Sequence, residues 1–211
     1  MWRKTAEMKL LYQTHSPYAR KALVFAHEAG LADRIEAEHH ETSPTRANPA
    51  VFAENPLGKV PVLLRPGEEP IFDSNVICAY LDTLHDGTPL IPAEGEARWR
   101  ALRFEAAAQG LADSGILVRW ELVRRPHALR YPPLAEGHAL KLTRTYAWLD
   151  AQLGADEPVT VGHIALATAL DWLAFRELPS FRGFANLAAW FDGFAARPSM
   201  LATPLAGETQ D

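Results

Sequence analysis

The stretch 55–64, NPLGKVPVLL, places a proline at the start of a run of β-forming residues. The branched and aliphatic side chains from Val60 to Leu64 predict a short strand. Pro61 has no backbone N–H and removes one donor from the strand ladder, which an edge strand tolerates. On these residues alone Pro61 can be an ordinary edge-strand proline, so a special role for it needs support from elsewhere in the chain.

Outward from this strand, the pattern divides the chain into two parts. Residues 8–85 alternate β-type runs with helical stretches, a linker rich in proline and glycine follows at 86–96, and residues 97–205 show almost no strand signal. The sequence therefore predicts an α/β domain followed by an all-helical domain. The predicted strands are 9–14, 34–40, 60–64 and 71–72, and the predicted helices are 18–29, a short one within 45–58, 73–85, 97–125, 134–153, 160–176 and 185–197.

Two apolar sets predict buried helix faces. One lies on the helix at 73–85 and comprises Val76, Ile77, Tyr80, Leu81 and Leu84. The other is aromatic and comprises Trp172, Phe175, Trp190, Phe191 and Phe194. Aromatic residues at helical spacing are typical of a core. The first residues, MWRKTAE, are predicted to be a short ragged extension, and the last, AGETQD (206–211), a loose tail.

Charge and composition exclude several classes of partner. The chain has 21 basic and 26 acidic residues, and its net charge of −5 offers no general attraction to nucleic acid or to an anionic membrane. No apolar run approaches the ~18 residues that span a bilayer, and the N-terminus has no apolar core of a secretion signal. The single cysteine, Cys78, excludes an internal disulfide and fits a reducing compartment. We therefore expect a cytoplasmic protein.

Two further segments stand beside the 55–64 stretch, namely HSPYARK at 15–21 and FDSNVICAYLD at 72–82. In their order and spacing, with the helical half behind them, they resemble the glutathione transferase superfamily over residues 8–205. The Ser-Pro-aromatic start of the first segment resembles its serine-type subgroups of bacteria and plants. The resemblance implies a thioredoxin-like N-terminal domain (β-α-β-α-β-β-α) and an all-α helical C-terminal domain. It also implies glutathione as co-substrate and a homodimer formed across the helices at 73–85 and 97–125.

The resemblance assigns binding roles in the second and third segments. It implies a cis Val60–Pro61 bond, whose bend presents the Val60 backbone to the peptide-like middle of glutathione, as in strand addition. Lys59 would pair with the glycine carboxylate, although it is equally well a solvated lysine, and Arg46 is a second candidate for the same carboxylate. Asp73 and Ser74 open a helix and could be a plain N-cap. The resemblance gives them the γ-glutamyl end, with its carboxylate at the helix N-terminus and its ammonium on the acid.

Ser16 can be either a helix cap or a ligand-holding residue. Pro17 suits the first turn of a helix, which favours the cap. The resemblance implies that the Ser16 hydroxyl donates to the glutathione sulfur, where a helix N-terminus and Arg20 would also favour a thiolate. Cysteine is absent from positions 14–18, and Cys78 is expected to pack as a small hydrophobe, which disfavours thiol–disulfide chemistry. No G-x-S-x-G motif supports a serine hydrolase.

The predicted function is attack of the glutathione thiolate on a small hydrophobic electrophile, as in detoxification. Tyr18, Arg119, Trp120 and Arg124 are candidates for the second-substrate cleft. His39 and His40 are adjacent on a strand and would face opposite sides, and with no Cys/His spacing elsewhere we expect no metal. Two alternatives stay open: a non-catalytic glutathione-binding or scaffold protein on the same fold, and a glutathione-dependent isomerase or dehalogenase.

One position departs from the family pattern. Members usually carry Ser/Thr-x-x-Asp at the start of the buried helix of the helical domain, where the acid completes a capping box. Here Thr160 is the first residue of that pattern, and His163, three positions later, occupies the place of the acid. We expect the lost arm to cost about 0.5–2 kcal/mol, so that His163→Asp would raise the melting temperature.

Overall fold

The computed structural model describes residues 7–154 and 157–209, which contain a four-stranded mixed sheet. The strands are β1 (Met8–Tyr12), β2 (Ile35–His39), β3 (Val62–Arg65) and β4 (Glu68–Ile71). Their order across the sheet is β2-β1-β3-β4. β1 pairs with β2 in parallel, whereas β1 with β3 and β3 with β4 are antiparallel.

In the part of the chain that the structure describes, three α-helices accompany the sheet and five follow it. They are α1 (Pro17–Glu28), α2 (Pro49–Glu54), α3 (Ser74–Leu81), α4 (Gly95–Arg119), α5 (Pro132–Asp150), α6 (Val161–Phe175), α7 (Ala185–Ala195) and α8 (Pro198–Leu201). The order of the elements up to α3 is the predicted β-α-β-α-β-β-α. The expected architecture, a thioredoxin-like sheet with helices and a helical C-terminal region, is confirmed. Within the described residues, no helix is long and apolar enough to cross a membrane.

The chain divides into two compact units. The first unit consists of two segments, one that ends at Ala93 and one that begins at Leu201. The second unit is Glu94–Met200. Residues 201–205, expected in the helical domain, thus belong with the sheet. The tail predicted to be loose is bound there at Ala206, whose N–H donates to the Thr14 carbonyl at 3.1 Å. Of the predicted N-terminal extension, residues 1–6 lie outside the described residues.

Several predicted boundaries were wrong for local reasons. The first strand ends at Tyr12 because the chain turns at Gln13, whose carbonyl accepts from the Ser16 N–H at 3.1 Å. β4 lies before residue 72, since its register with β3 pairs Arg65 with Glu68. The long helix predicted at 97–125 changes at Trp120–Arg124 into a π-helical turn, just before Pro126.

Two residues expected in buried faces are instead exposed. Val76 on α3 is 48% exposed, whereas Ile77 and Leu81 of the same helix are fully buried. Phe175, the last residue of α6, is 37% exposed, while Trp172 is buried one turn earlier. The other predicted core aromatics that are buried are Phe191 and Phe194. Cys78 is buried, as expected.

The helical unit is organised around α6, which packs against α4 at very short range. A Cβ at Gly162 would lie 2.5 Å from the Ala101 carbonyl oxygen and 2.6 Å from the Phe104 Cβ. Only glycine permits this approach between the two backbones. From Val161 to Leu170 every residue of α6 is buried, consistent with its predicted central position.

His163 corrects the expectation of an incomplete capping box. Its Nδ1 accepts from the Thr160 N–H at 3.2 Å and lies 3.0 Å from the Thr160 hydroxyl, so the imidazole replaces the missing acid. Its ring also packs edge-on against Phe104 and lies at a tilt to Trp190. Glu157 lies 3.6 Å from its Nε2. The physical basis for a gain in stability by His163→Asp is therefore absent.

The buried imidazole links stability to pH. Burial lowers the pKa of His163 below its ordinary value, the nearby Glu157 carboxylate opposes that shift, and Arg100 adds to it. A histidine with a lowered folded pKa binds protons more readily in the unfolded chain. Its contribution is complete above the unfolded pKa of about 6.5 and is lost as the pH falls from there through the lowered folded value.

We expect the free energy of unfolding to fall between about pH 7.5 and pH 5, and His163→Asn to reduce that fall. The asparagine oxygen can accept from the Thr160 N–H and does not titrate. Urea unfolding at both pH values measures the change. The control is His127→Asn on an exposed turn, which should leave the pH dependence as in the unmodified chain. Equal pH dependence in the two variants would contradict the role of His163.

Candidate functional site

The strand register brings the three sequence segments to one edge of the sheet, namely the edge at which β1 and β4 end and β3 begins. Leu11 pairs with Val62, and Leu63 pairs with Ile71, both in antiparallel fashion. Residues that follow β1, precede β3 and follow β4 therefore emerge at the same edge. The starts of α1 and α3 flank this edge, and the loop that carries Pro61 lies between them. The segments at 15–21, 55–64 and 72–82 thus form one candidate site.

Ser16 is the N-cap of α1, and its hydroxyl has a further hydrogen bond to give. The Oγ accepts from the Ala19 N–H at 3.2 Å, and the residue is 7% exposed. A serine hydroxyl has one donor proton and two acceptor lone pairs, and the cap uses only acceptor capacity. The two interpretations of Ser16 are therefore compatible: it caps the helix and retains a proton to donate to an anion.

The Val60–Pro61 peptide bond is cis, as the family resemblance implied, and Phe72–Asp73 is cis as well. Val60 precedes the first residue of β3. Within the described part of the chain, its N–H and carbonyl enter no backbone hydrogen bond. These main-chain groups are thus available at the sheet edge for an extended peptide.

Asn55, which sequence reasoning missed, holds the loop that ends at Val60. It is 2% exposed; its amide nitrogen donates to the Lys59 carbonyl at 2.8 Å, and its amide oxygen accepts from the Leu57 N–H at 2.9 Å. Gly58 adopts a φ of +62°, and a Cβ there would fall within 2.3 Å of the Phe52 ring. The Asn-Pro-x-Gly pattern contains this signal, since asparagine side chains often bond to the backbone two residues ahead.

The first turn of α3 offers polar groups suited to a carboxylate. Asp73 is the N-cap, and its Oδ1 accepts from the Asn75 N–H at 3.0 Å. The Ser74 Oγ is buried, and no hydrogen-bond partner for it lies within the described residues. An unsatisfied buried hydroxyl at a helix N-terminus is the kind of group that a bound anion satisfies.

Lys21 adds a buried positive charge beside that turn. It extends from α1, is 3% exposed, and its Nζ contacts the Asn75 Oδ1. Lys21 is a site residue that sequence reasoning missed, although a lysine on the inner side of a helix is an unusual feature. Together with the Ser74 hydroxyl and the helix dipole, it makes the potential at the start of α3 favourable for an anion.

The described contacts do not join the remaining candidate site residues to these segments. Lys59 and Arg46 both have exposed side chains. Tyr18 is partly buried on the first turn of α1. In the helical unit, the Arg124 guanidinium lies 3.8 Å from the centre of the Trp120 ring. Burial lowers the pKa of Arg124 to about 10, with contributions from Arg119 and Arg176.

Within residues 7–154 and 157–209, no group of three or more His, Cys, Asp or Glu side chains could hold a metal ion. His39 and His40 instead each contact a neighbouring glutamate, Glu41 and Glu38 respectively.

Comparison with known proteins places these segments in a family context. A family model described as glutathione S-transferase, N-terminal domain, matches residues 15–84. An uncharacterized GST-like protein of Escherichia coli, YibF, is 30% identical over 175 residues, which are 81% of this chain and 84% of that protein. The crystal structure of a glutathione transferase family member from Pseudomonas fluorescens, with bound glutathione, matches with a TM-score of 0.89 and 37% identity. That match covers 95% of this chain and all of the other.

A further relative has a different name. Elongation factor 1-gamma from Prunus avium is 31% identical over 175 residues. The match spans 80% of this chain but only 38% of that longer protein. A sequence similar to this chain therefore forms one part of a longer protein.

We expect Asn55→Ala to lower the free energy of unfolding by about 1–3 kcal/mol, because the Lys59 carbonyl loses its partner inside the loop. Asn186→Ala is the matched control, since its amide donates to the Asp150 carbonyl at the surface. That variant should change stability by less than about 0.5 kcal/mol. Urea unfolding compares the two, and equal losses would show that Asn55 does not fix the loop.

Proposed function

Because the chain belongs to the glutathione S-transferase family, we propose that it binds glutathione at this sheet edge and holds its sulfur as a thiolate. The thiolate then attacks a small hydrophobic electrophile. The observation that carries the proposal is the buried Ser74 hydroxyl, which has no partner within the described residues. It lies at the start of α3, where the resemblance predicts the γ-glutamyl end of the tripeptide.

At that end, the glutathione carboxylate accepts hydrogen bonds from the Ser74 hydroxyl and from backbone N–H groups of the first turn. The Asp73 carboxylate accepts from the ammonium group. One of its oxygens already accepts from the Asn75 N–H, and the carboxylate has further acceptor sites. The buried Lys21 charge favours the carboxylate over the neutral acid.

The middle of glutathione pairs with the Val60 backbone, so that affinity there depends on main-chain groups. At the far end, Lys59 and Arg46 attract the glycine carboxylate. Both are exposed, and exposed ion pairs contribute only about 0–1 kcal/mol each. We therefore propose that most of the affinity comes from the α3 end and from the Val60 backbone.

At the thiol, Ser16 acts as a hydrogen-bond donor and does not form a covalent bond. A free thiol has a pKa of about 8.5 and is mostly protonated at neutral pH. Donation from the Ser16 hydroxyl and the N-terminal potential of α1 both favour the thiolate. The sulfur lone pair forms a bond to the electrophilic carbon, and the leaving group departs with the displaced electron pair. In this proposal the protein is a serine-type member of the family.

Tyr18, Arg119, Trp120 and Arg124 stay the proposed contacts of the electrophile. The Trp120 ring supplies an apolar surface, and the guanidinium stacked on it supplies positive charge. The same thiolate would suit a glutathione-dependent isomerase or dehalogenase, so turnover with several electrophiles distinguishes the reactions. Detoxification and a cytoplasmic location stay predictions from the sequence, and so does the absence of a metal.

A scaffold function is the second candidate. Its support is the match to elongation factor 1-gamma, of which the chain covers only 38%. A scaffold of this fold requires no thiolate chemistry at Ser16. Retention on immobilised glutathione together with conjugation of a generic aromatic electrophile would favour the transferase, and the absence of both would favour the scaffold.

We expect Ser16→Ala to raise the pKa of the bound glutathione thiol and to reduce turnover about tenfold to a hundredfold. The reason is loss of a hydrogen bond to a charged sulfur. Ser16→Thr should retain most of the activity, because threonine also caps and donates. Absorbance titration of the bound thiolate and steady-state kinetics measure both effects.

The control for the lost helix cap is Thr160→Ala at the start of α6, which should lower stability without moving the thiol pKa. If Ser16→Ala turns over substrate with an unchanged thiol pKa, Ser16 is only a cap.

A homodimer across α3 and α4 is also proposed. Within their own units, α3 exposes Val76 and α4 exposes Trp99, which is 61% accessible. We expect Val76→Glu to shift a dimer toward the monomer in sedimentation velocity, because it places a charge in an apolar contact. The control is Leu140→Glu at an exposed position of α5. If the unmodified chain and both variants all sediment as dimers, α3 is not part of the interface.

A further inference from the structure

The loop between β1 and α1 depends on contacts from distant parts of the chain. The Gln13 amide donates to the Thr42 carbonyl at 2.9 Å, and the Thr14 N–H donates to the His39 Nδ1 at 3.3 Å. The Ser16 N–H donates back to the Gln13 carbonyl. The position of the Ser16 hydroxyl is therefore set by how residues 13–15 are held.

The most distant of these contacts comes from the C-terminal segment, defined here as residues 202–207. The Ala206 N–H donates to the Thr14 carbonyl at 3.1 Å, and the Thr14 hydroxyl donates to the Ala206 carbonyl at 2.8 Å. This reciprocal pair joins residues that are 192 positions apart. It connects the end of the chain to a residue two positions before Ser16.

Gly207 continues the contact of the C-terminal segment with the loop. Its φ is +84°, and a Cβ there would lie 3.5 Å from the Thr14 Oγ1 and 3.9 Å from the His15 Nδ1. The C-terminal segment thus lies against Thr14 and His15, the two residues that immediately precede Ser16, the N-cap of α1. A side chain at position 207 would be strained by the backbone conformation and would meet this loop.

A pocket of about 440 Å³, partly open to solvent, borders the same side of the loop. Its walls include Gln13, Thr14 and Arg20, and Thr203 and Pro204 of the C-terminal segment. Side chains that line such an open pocket are not held by packing on that side. Packing therefore restrains Thr14 less than it would in a filled core. The position of Thr14 depends more strongly on its two hydrogen bonds to Ala206.

We propose that Thr14 is a positioning residue for Ser16, and that the C-terminal segment holds it in place so that the glutathione thiol is ionised efficiently. This inference rests on the proposed function. Hydrogen-bond donation to the sulfur requires the Ser16 hydroxyl to be placed within about 0.5 Å. Residues 202–207 thereby set the reactivity of a site formed around Ser16.

Thr14→Val tests the first half of the proposal, since it removes the hydroxyl and nearly preserves the volume. The pKa of the bound glutathione thiol should rise, and kcat should fall about threefold to tenfold at neutral pH. The Kd for S-methylglutathione, which has no thiol, should stay unchanged. The matched control is Thr143→Val, whose hydroxyl donates to the Ala139 carbonyl within α5.

Gly207→Ala tests the C-terminal segment in the otherwise unchanged chain. We expect it to change the thiol pKa and kcat in the same direction as Thr14→Val. Gly67→Ala is the control, because its φ is +77° and no atom lies within 4 Å of the added Cβ. It introduces comparable backbone strain without contact to the loop and should leave the thiol pKa unchanged. Thermal melting establishes that each variant is folded.

The outcomes separate this inference from the proposed function. If Ser16→Ala raises the thiol pKa while Thr14→Val and Gly207→Ala leave it unchanged, the inference is overturned and the proposed function stands. If Ser16→Ala leaves the pKa unchanged, the role of Ser16 fails and the inference fails with it. A rise in all three variants, with both controls unchanged, supports both.

Discussion

The antiparallel pairing of the two central strands is the constraint on which the candidate site depends. Leu10 and Leu11 of β1, and Val62 and Leu63 of β3, are all buried, so both faces of these strands are covered. Their register fixes which loops meet at the edge of the sheet. A shift along either strand would separate the start of α1 from Pro61 and would move buried leucines out of their packing.

Much of this arrangement is encoded locally and was therefore predictable. Pro17 and Gly30 bound the first helix in the sequence, and the run from Val60 predicts the central strand. β4 was harder to place because Glu68, Glu69 and Pro70 have low β-propensity, and only pairing with β3 makes them a strand. The family resemblance supplied what local propensity could not, namely which segments belong together.

The contacts that were missed share a physical cause. The Lys21 ammonium contacts Asn75 in another helix, and the Thr14 hydroxyl contacts Ala206 near the end of the chain. Propensity and periodicity describe neighbours along the sequence and contain no information about such pairs. His163 illustrates the reverse case, in which the position was singled out but the chemistry was misjudged. An imidazole nitrogen can accept the hydrogen bond that the family pattern assigns to a carboxylate.

The cap at Ser16 limits which residues can replace this serine during evolution. The hydroxyl oxygen accepts from the Ala19 N–H, so one atom starts the helix and, in the proposed function, faces the sulfur. A longer side chain at position 16 could still reach a ligand. It would be too long to accept the hydrogen bond from the Ala19 N–H, and the helix would lose its cap. Mutational paths from this position are thus narrow: they favour short polar side chains, and a change of chemistry requires a new donor from another part of the loop.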